Sequence, residues 1–279
     1  MKILITGSEG QLGKELLRVL NKDNKYYIIP TNKKDLDISN FDLVNEFIKK
    51  NAVDIVINCA AYTKVDLCET NKELAFKVNA LGPKNLAIAC EKIGAKFVQI
   101  STDYVFDGYS KKPYCEYDNI NPISIYGKSK ALGEFYTRLF SKKYFIIRTA
   151  WLYGDGNNFV KTMLNLSKTK NSIDLVNDQY GSPTSTKDLV KCIKNLIHTE
   201  NYGTYHGTCN GVCTWYEFAC KIFEIKNINI NVNPVTSMDF KTIAKRPTFS
   251  VLDNFMLRIN NIDTFNYWED SLVEYLNNK

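Results

Sequence analysis

Short apolar runs alternate with amphipathic stretches through the first half of the chain. Lys2–Thr6 (KILIT) reads as a buried strand, followed by a glycine turn and a helix over Gln11–Leu20. A second strand is predicted over 26–30 and a helix over 41–50 (FDLVNEFIKK). VDIVIN at 53–58 is a third strand, a long helix is predicted over 73–93, and FVQIS at 97–101 is a fourth strand. After a Pro- and Tyr-rich loop ending at Pro122 come a helix over 124–140 and a fifth strand, Tyr144–Thr149 (YFIIRT). Near-continuous apolar strands separated by helices predict a parallel sheet covered on both faces. That is a doubly wound α/β fold, whose ligands bind beyond the carboxyl ends of the strands.

The pattern loosens after Ala150. Helices are predicted over Phe159–Leu166, 186–197, 215–223 and 265–276, with strand segments at 173–176 and 205–206, the turn-rich DQYGSPTS and an extended, Asn-rich stretch at 227–234. Neither a repeat nor a linker interrupts this half. Residues 1–150 are therefore read mainly as the sheet domain, and 151–279 mainly as a smaller lobe that returns a strand and a helix to it. Its 279 residues, 44% hydrophobic and 24% charged, suit a globular protein with a sizeable core. The net charge of +6 is scattered, which argues against a nucleic-acid surface and leaves room for a small anionic ligand.

No apolar run approaches the roughly 20 residues of a membrane span, and the start lacks the long apolar segment of a secretory signal. A cytoplasmic protein is expected. The eight cysteines then read as reduced thiols. His206, Cys209, Cys213 and Cys220 lie close in sequence, but their spacings do not form paired zinc knuckles, and no metal is predicted.

The chemistry begins at ITGSEGQLGKEL. Gly7, Gly10 and Gly13 stand between a buried strand and a helix, where they permit a tight turn, backbone approach to a phosphate and close helix packing. This suits a dinucleotide. The second strand ends in Pro30-Thr31-Asn32-Lys33-Lys34, with no carboxylate to repel a 2′-phosphate, so NADPH is favoured and NADH is the alternative. Asp37 is placed on the adenine side. After the third strand, Cys59, Ala60, Ala61 and Tyr62 offer small residues for backbone contact with a cofactor.

Tyr126 and Lys130 lie four apart on a predicted helix and share a face. An ammonium beside a phenol favours phenolate and is expected to lower the Tyr126 pKa, suiting it to protonate a carbonyl oxygen as hydride arrives. The spacing alone carries nothing: about two chance matches are expected, and Tyr275/Lys279 is a second. Position lifts Tyr126, because it follows the strand ending in Ser101-Thr102-Asp103, whose hydroxyls can share its pocket. With two histidines, no G-x-S-x-G elbow and no P-loop, hydrolase and phosphoryl-transfer schemes have little support.

With these residues the chain resembles the extended short-chain dehydrogenase/reductases, and within them the dTDP-4-dehydrorhamnose reductases. The matching segments run from TGSEGQLGKEL (6–16) through NCAAYTKVDLCE (58–69), VNALGPKNLA (78–87), STDYVFDG (101–108) and RTAWLYG (148–154) to DQYGSPT (178–184) and WYEFA (215–219). The resemblance implies a Rossmann-type fold and NAD(P)H-dependent reduction of the C4 keto group of dTDP-4-dehydro-β-L-rhamnose. It implies that Gly7, Gln11, Leu12 and Gly13 hold the pyrophosphate, and that Asp37, Ala60, Ala61 and Tyr62 line the adenosine side. Asn79 is a further cofactor-side residue. Tyr126 becomes the proton donor, Lys130 a partner of the nicotinamide ribose, and Thr102 the partner of the keto oxygen with Asp103 beside it. Trp151 shapes the sugar pocket, and Arg246 is a candidate for the substrate phosphates. Some members hold Mg²⁺ between subunits; Glu15 fits one such position and Asp188 is only near another, so the ion is not expected here. A homodimer is a family-level expectation. Reduction of another dTDP-4-keto-6-deoxyhexose, or a non-catalytic NADP-binding regulatory subunit, remains as an alternative.

Overall fold

The computed structural model describes residues 1–240 and 242–277; Lys279 of the second Tyr/Lys match lies outside them. Five strands, β1 (Lys2–Thr6), β2 (Tyr27–Thr31), β3 (Ile55–Asn58), β4 (Lys96–Thr102) and β5 (Tyr144–Thr149), form the sheet with a sixth, Gly203–His206. The spatial order is Gly203–His206, β5, β4, β3, β1, β2, and every pairing is parallel. Ile3, Leu4, Ile5, Val56, Ile57, Phe97, Val98 and Ile146 are fully buried, because helices cover both faces of the inner strands. From β1 the chain runs outward to β2 and returns to place β3 on the other side. That reversal opens a crevice above the carboxyl ends of β1 and β3.

Helices α1 (Gln11–Leu20), α2 (Phe41–Asn51), α3 (Val65–Thr70), α4 (Lys72–Phe76), α5 (Gly82–Ile93) and α6 (Ile125–Phe140) connect these strands. The single helix expected over 73–93 is present, helical without a gap from Lys72 to Ile93 but widened by one π-turn. That turn, Lys77–Leu81, joins α4 to α5 immediately before Gly82-Pro83, where proline removes a backbone donor. The Ser124 side chain caps α6 by accepting from the Gly127 N–H at 3.1 Å, which sets where Tyr126 leaves the first turn. The second half of the chain supplies the sixth strand, and its helix Thr186–Leu196 packs against α1, so the two halves share one core.

The turn between β1 and α1 is the tightest point. Gly7 has φ +64°, and a Cβ there would meet the Ala60 nitrogen at 2.7 Å. A Cβ on Gly13 would lie 2.5 Å from the Gly7 oxygen. Gly13→Ala should therefore destabilise the protein by about 1–3 kcal/mol through overpacking, read from the urea midpoint. An unchanged midpoint would sink the close-packing argument.

Candidate active site

A cavity of about 480 Å³ opens above the carboxyl ends of β1, β3, β4 and β5. Its cofactor-like wall is the turn Gly10, Gln11, Leu12 and Gly13, with Ala60 and Ala61 after β3. The opposite wall brings Thr102 and Asp103 from β4, Tyr126 and Lys130 from α6, Trp151 after β5, and Arg246 from the far end of the chain. These predicted residues, scattered over more than 230 positions, meet in one space. Gly7, Asp37, Tyr62 and Asn79 do not line it. Gly7 sits behind the turn against Ala60, and Asp37 accepts from the Ser39 N–H and hydroxyl. Asn79, buried in the π-turn, accepts from the Tyr62 N–H at 2.8 Å and donates to the Tyr62 carbonyl at 3.0 Å and to Ser129 Oγ at 3.1 Å. It fastens the loop after β3 to α6.

Burial governs the reactive groups. Desolvation raises Tyr126 well above an ordinary phenol; the Thr102 hydroxyl opposes the shift, and Asp103 and Tyr104 add to it. The expected lowering of the Tyr126 pKa is thus corrected: loss of water dominates and the shift is upward, so the resting phenol keeps its proton. Lys130 is itself buried and donates to the Ile100 carbonyl at 2.6 Å. Burial lowers its pKa to about 8, while the Glu134 carboxylate and Cys59 favour the charged form. Thr102 Oγ1 donates to Asp103 Oδ1 at 2.8 Å and accepts from the Tyr104 N–H at 3.2 Å. Asp103 is pushed up to about 6 by burial, against the Ser250 and Thr102 hydroxyls, and its Oδ2 is buried without a hydrogen-bond partner.

Several contributors were not singled out by the sequence reading. Glu134, one turn beyond Lys130, is fully buried and receives Arg148 through Nε at 2.9 Å and Nη2 at 2.8 Å, and Ser101 Oγ at 2.6 Å. A helical i+4 step from Lys130 was the available signal. Trp215 stacks on Trp151 with centroids 3.5 Å apart and planes at 7°, and both indoles line the cavity. Trp151 holds this stack from a left-handed backbone, φ +47°. Arg246 Nη2 pairs with Asp66 Oδ2 at 2.9 Å.

The end of the second strand holds more charge than its own residues suggest. Lys33 and Lys34 are exposed beyond β2, but Asn32 Nδ2 donates to Glu9 Oε1 at 2.9 Å and the Asn32 N–H donates to Asp35 Oδ2 at 3.0 Å. The fold therefore brings two carboxylates to the place that looked free of them. His206 and Cys209 belong to the core: His206 lies against Arg148 and the Asp253 carbonyl, and Cys209 against Asp188 and Ser271. Glu15 is engaged by Arg18 from its own helix.

Comparison with known proteins agrees with this architecture. The family model described as RmlD substrate binding domain matches residues 1–279. The spore coat polysaccharide biosynthesis protein SpsK of Bacillus subtilis is 42% identical, covering 99% of this chain and 96% of its own length. A crystal structure of a dTDP-4-dehydrorhamnose reductase from Clostridium acetobutylicum superposes with TM-score 0.98 at 52% identity, over 99% of both chains. That of dTDP-4-dehydrorhamnose reductase from Bacillus anthracis in complex with NADP also gives 0.98, at 46% identity over 100% of this chain and 99% of that one.

The electrostatics of Lys130 can be tested directly. Its ammonium should lose its proton near pH 8, and Glu134→Gln should move the titration lower still, because a neighbouring carboxylate that favours the cation is removed. Isotope-labelled methyl-lysine resonances followed by NMR would report both titrations. A midpoint in the ordinary lysine range, about 10.4, would show that burial does not dominate.

Proposed function

Because the chain belongs to the RmlD substrate binding domain family, we propose that it is a dTDP-4-dehydrorhamnose reductase, an NADPH-dependent oxidoreductase converting dTDP-4-dehydro-β-L-rhamnose to dTDP-β-L-rhamnose. The observation that carries this reading is the single cavity with a glycine turn on one wall and Tyr126, Lys130 and Thr102 on the other. Gly13 packs where a side chain would strike Gly7, and α1 begins at that turn, so the N–H groups of its first turn face a pyrophosphate position. These residues fit a dinucleotide. The NADP complex of the Bacillus anthracis relative supports NADPH as the cofactor.

When bound, NADPH supplies the hydride. The chain supplies everything around it. Tyr126, protonated at rest by burial, gives its proton to the C4 oxygen. Thr102 turns its hydroxyl from Asp103 to the same oxygen, which fixes the carbonyl for attack. Lys130 has one N–H on the Ile100 carbonyl and others left for a ribose hydroxyl, and its charge stabilises the phenolate left on Tyr126. The stacked Trp151 and Trp215 give the sugar an apolar wall, and Arg246 meets the diphosphate.

In this reading residues 1–150 mainly serve the dinucleotide and 151–279 mainly the sugar nucleotide, with Trp151, Trp215 and Arg246 as the supporting residues. No described helix is long and apolar enough to cross a membrane; the reading places the enzyme in the cytoplasm. A homodimer is carried by family resemblance and is tested by light scattering.

The assay is loss of NADPH absorbance with enzymatically prepared dTDP-4-dehydro-β-L-rhamnose, with NADH run beside it. Tyr126→Phe should lower kcat by about a hundred- to ten-thousandfold, with NADPH affinity unchanged. Near-normal turnover in that variant would remove Tyr126 from the mechanism. NADPH binding without turnover of any dTDP-4-keto-6-deoxyhexose would favour the regulatory-subunit reading.

A further inference from the structure

We propose that Asp66 is a positioning residue for anion recognition: it orients Arg246 at the junction of two cavities and so sets affinity for the diphosphate of the nucleotide sugar. The proposal rests on the reading that Arg246 meets that diphosphate. Arg246 lines both the catalytic cavity and a neighbouring one of about 450 Å³, whose wall includes Tyr109, Gln179, Met238 and Lys245. Arg246 is the lining residue that the two cavities share.

Asp66, in the first turn of α3, holds the segment at two points. Its Oδ2 accepts from Arg246 Nη2 at 2.9 Å, and its Oδ1 accepts from the Ala244 N–H at 3.0 Å. One carboxylate therefore fixes both the guanidinium and the backbone two residues before it, across 180 and 178 positions of sequence. On its other side the segment is tied by Thr248, whose hydroxyl donates to the Gly108 carbonyl at 2.8 Å and whose carbonyl accepts from the Tyr180 N–H at 2.8 Å. Arg246 Nε is buried without a hydrogen-bond partner, a donor left over for a ligand oxygen. The guanidinium also acts on the Tyr104 hydroxyl, and the Tyr104 ring meets Tyr126 edge-on at 5.6 Å.

A carboxylate beside an anion site has two opposed effects. It repels the incoming phosphates, and it holds a long, rotamer-rich side chain in the geometry that receives them. The pair is partly solvated, with side-chain exposures of 28% and 39%, so the repulsion is screened. Orientation is local and unscreened, because a free arginine must be ordered at the moment of binding. The two effects predict opposite signs.

Calorimetry with dTDP, thymidine and NADPH on the full chain separates them. Asp66→Ala should weaken dTDP about tenfold while thymidine and NADPH bind as before, which also reports an intact fold. Asp66→Asn keeps an acceptor oxygen and should recover most of the loss. Unchanged or tighter dTDP binding in Asp66→Ala overturns the proposal, the latter by showing that repulsion prevails. A wild-type protein that does not bind dTDP overturns the functional reading and this proposal with it. Normal wild-type binding with an indifferent Asp66→Ala overturns the proposal alone.

Discussion

The site depends on one buried carboxylate. Glu134 lies inside the protein with no solvent contact, takes two hydrogen bonds from Arg148 on β5 and one from Ser101 on β4, and is approached by Arg138 from its own helix. Arg148 lies over the Phe106 ring and beside His206, whose pKa falls to about 3 through burial, with the Arg148 charge adding to the shift. The imidazole is therefore neutral and adds no second cation. A buried ion pair gains little net stability over apolar packing, because desolvation consumes most of the attraction. What it supplies is orientation. It fixes α6 across the ends of two strands, so Tyr126 and Lys130 on the helix are placed relative to Thr102, which follows Ser101 directly.

That placement determines the resting chemistry. In the proposed role of general acid Tyr126 needs its proton when the carbonyl arrives, and burial secures it there more firmly than a bare Tyr/Lys motif would suggest. Lys130 sits at the opposite limit, close to losing its charge, and keeps it through Glu134 and the Ile100 carbonyl. The same desolvation thus moves both groups toward neutrality, a phenol and an amine each resisting ionisation. A phosphate-bearing dinucleotide and a developing negative charge on oxygen both bias Lys130 back to the ammonium. Charge in this site is set by what is bound as much as by the protein.

The parallel sheet and the meeting of most site residues were legible in the chain, because each leans on local patterns: apolar runs, a glycine turn after a strand, a polar triplet at a strand end. The departures have physical causes. The helix expected over 73–93 runs through, but carries a π-turn just before Gly82-Pro83, where the missing proline N–H disturbs the hydrogen-bond ladder. Asn79 and Tyr62, read as cofactor-side residues, are bonded to each other, the asparagine tying down the loop after β3. Glu9 reached Asn32 only because the turn after β1 folds over the end of β2. Asp66 and Trp215 lay in the matched segments 58–69 and 215–219, but nothing local marked their partners. Each acts on a partner far away in sequence, and such pairs are set by the closed tertiary structure alone.

The aromatic wall shows the same principle in strained form. Trp151 occupies a left-handed backbone conformation that a bulky residue adopts only when its surroundings over-determine it. The determinants are visible: Trp215 covers one face, and Gly181 is so close that an added Cβ would fall 2.4 Å from the indole. Thr214 and Glu217 cap the Trp215 helix reciprocally, so the stacking partner is itself anchored. A non-glycine residue held this way costs roughly 1–3 kcal/mol, and the fold offsets that cost where an indole meets the cavity. Strain spent on one side chain at the mouth of β5, with rigid support behind it, fits a wall that must present a flat apolar face in a single position.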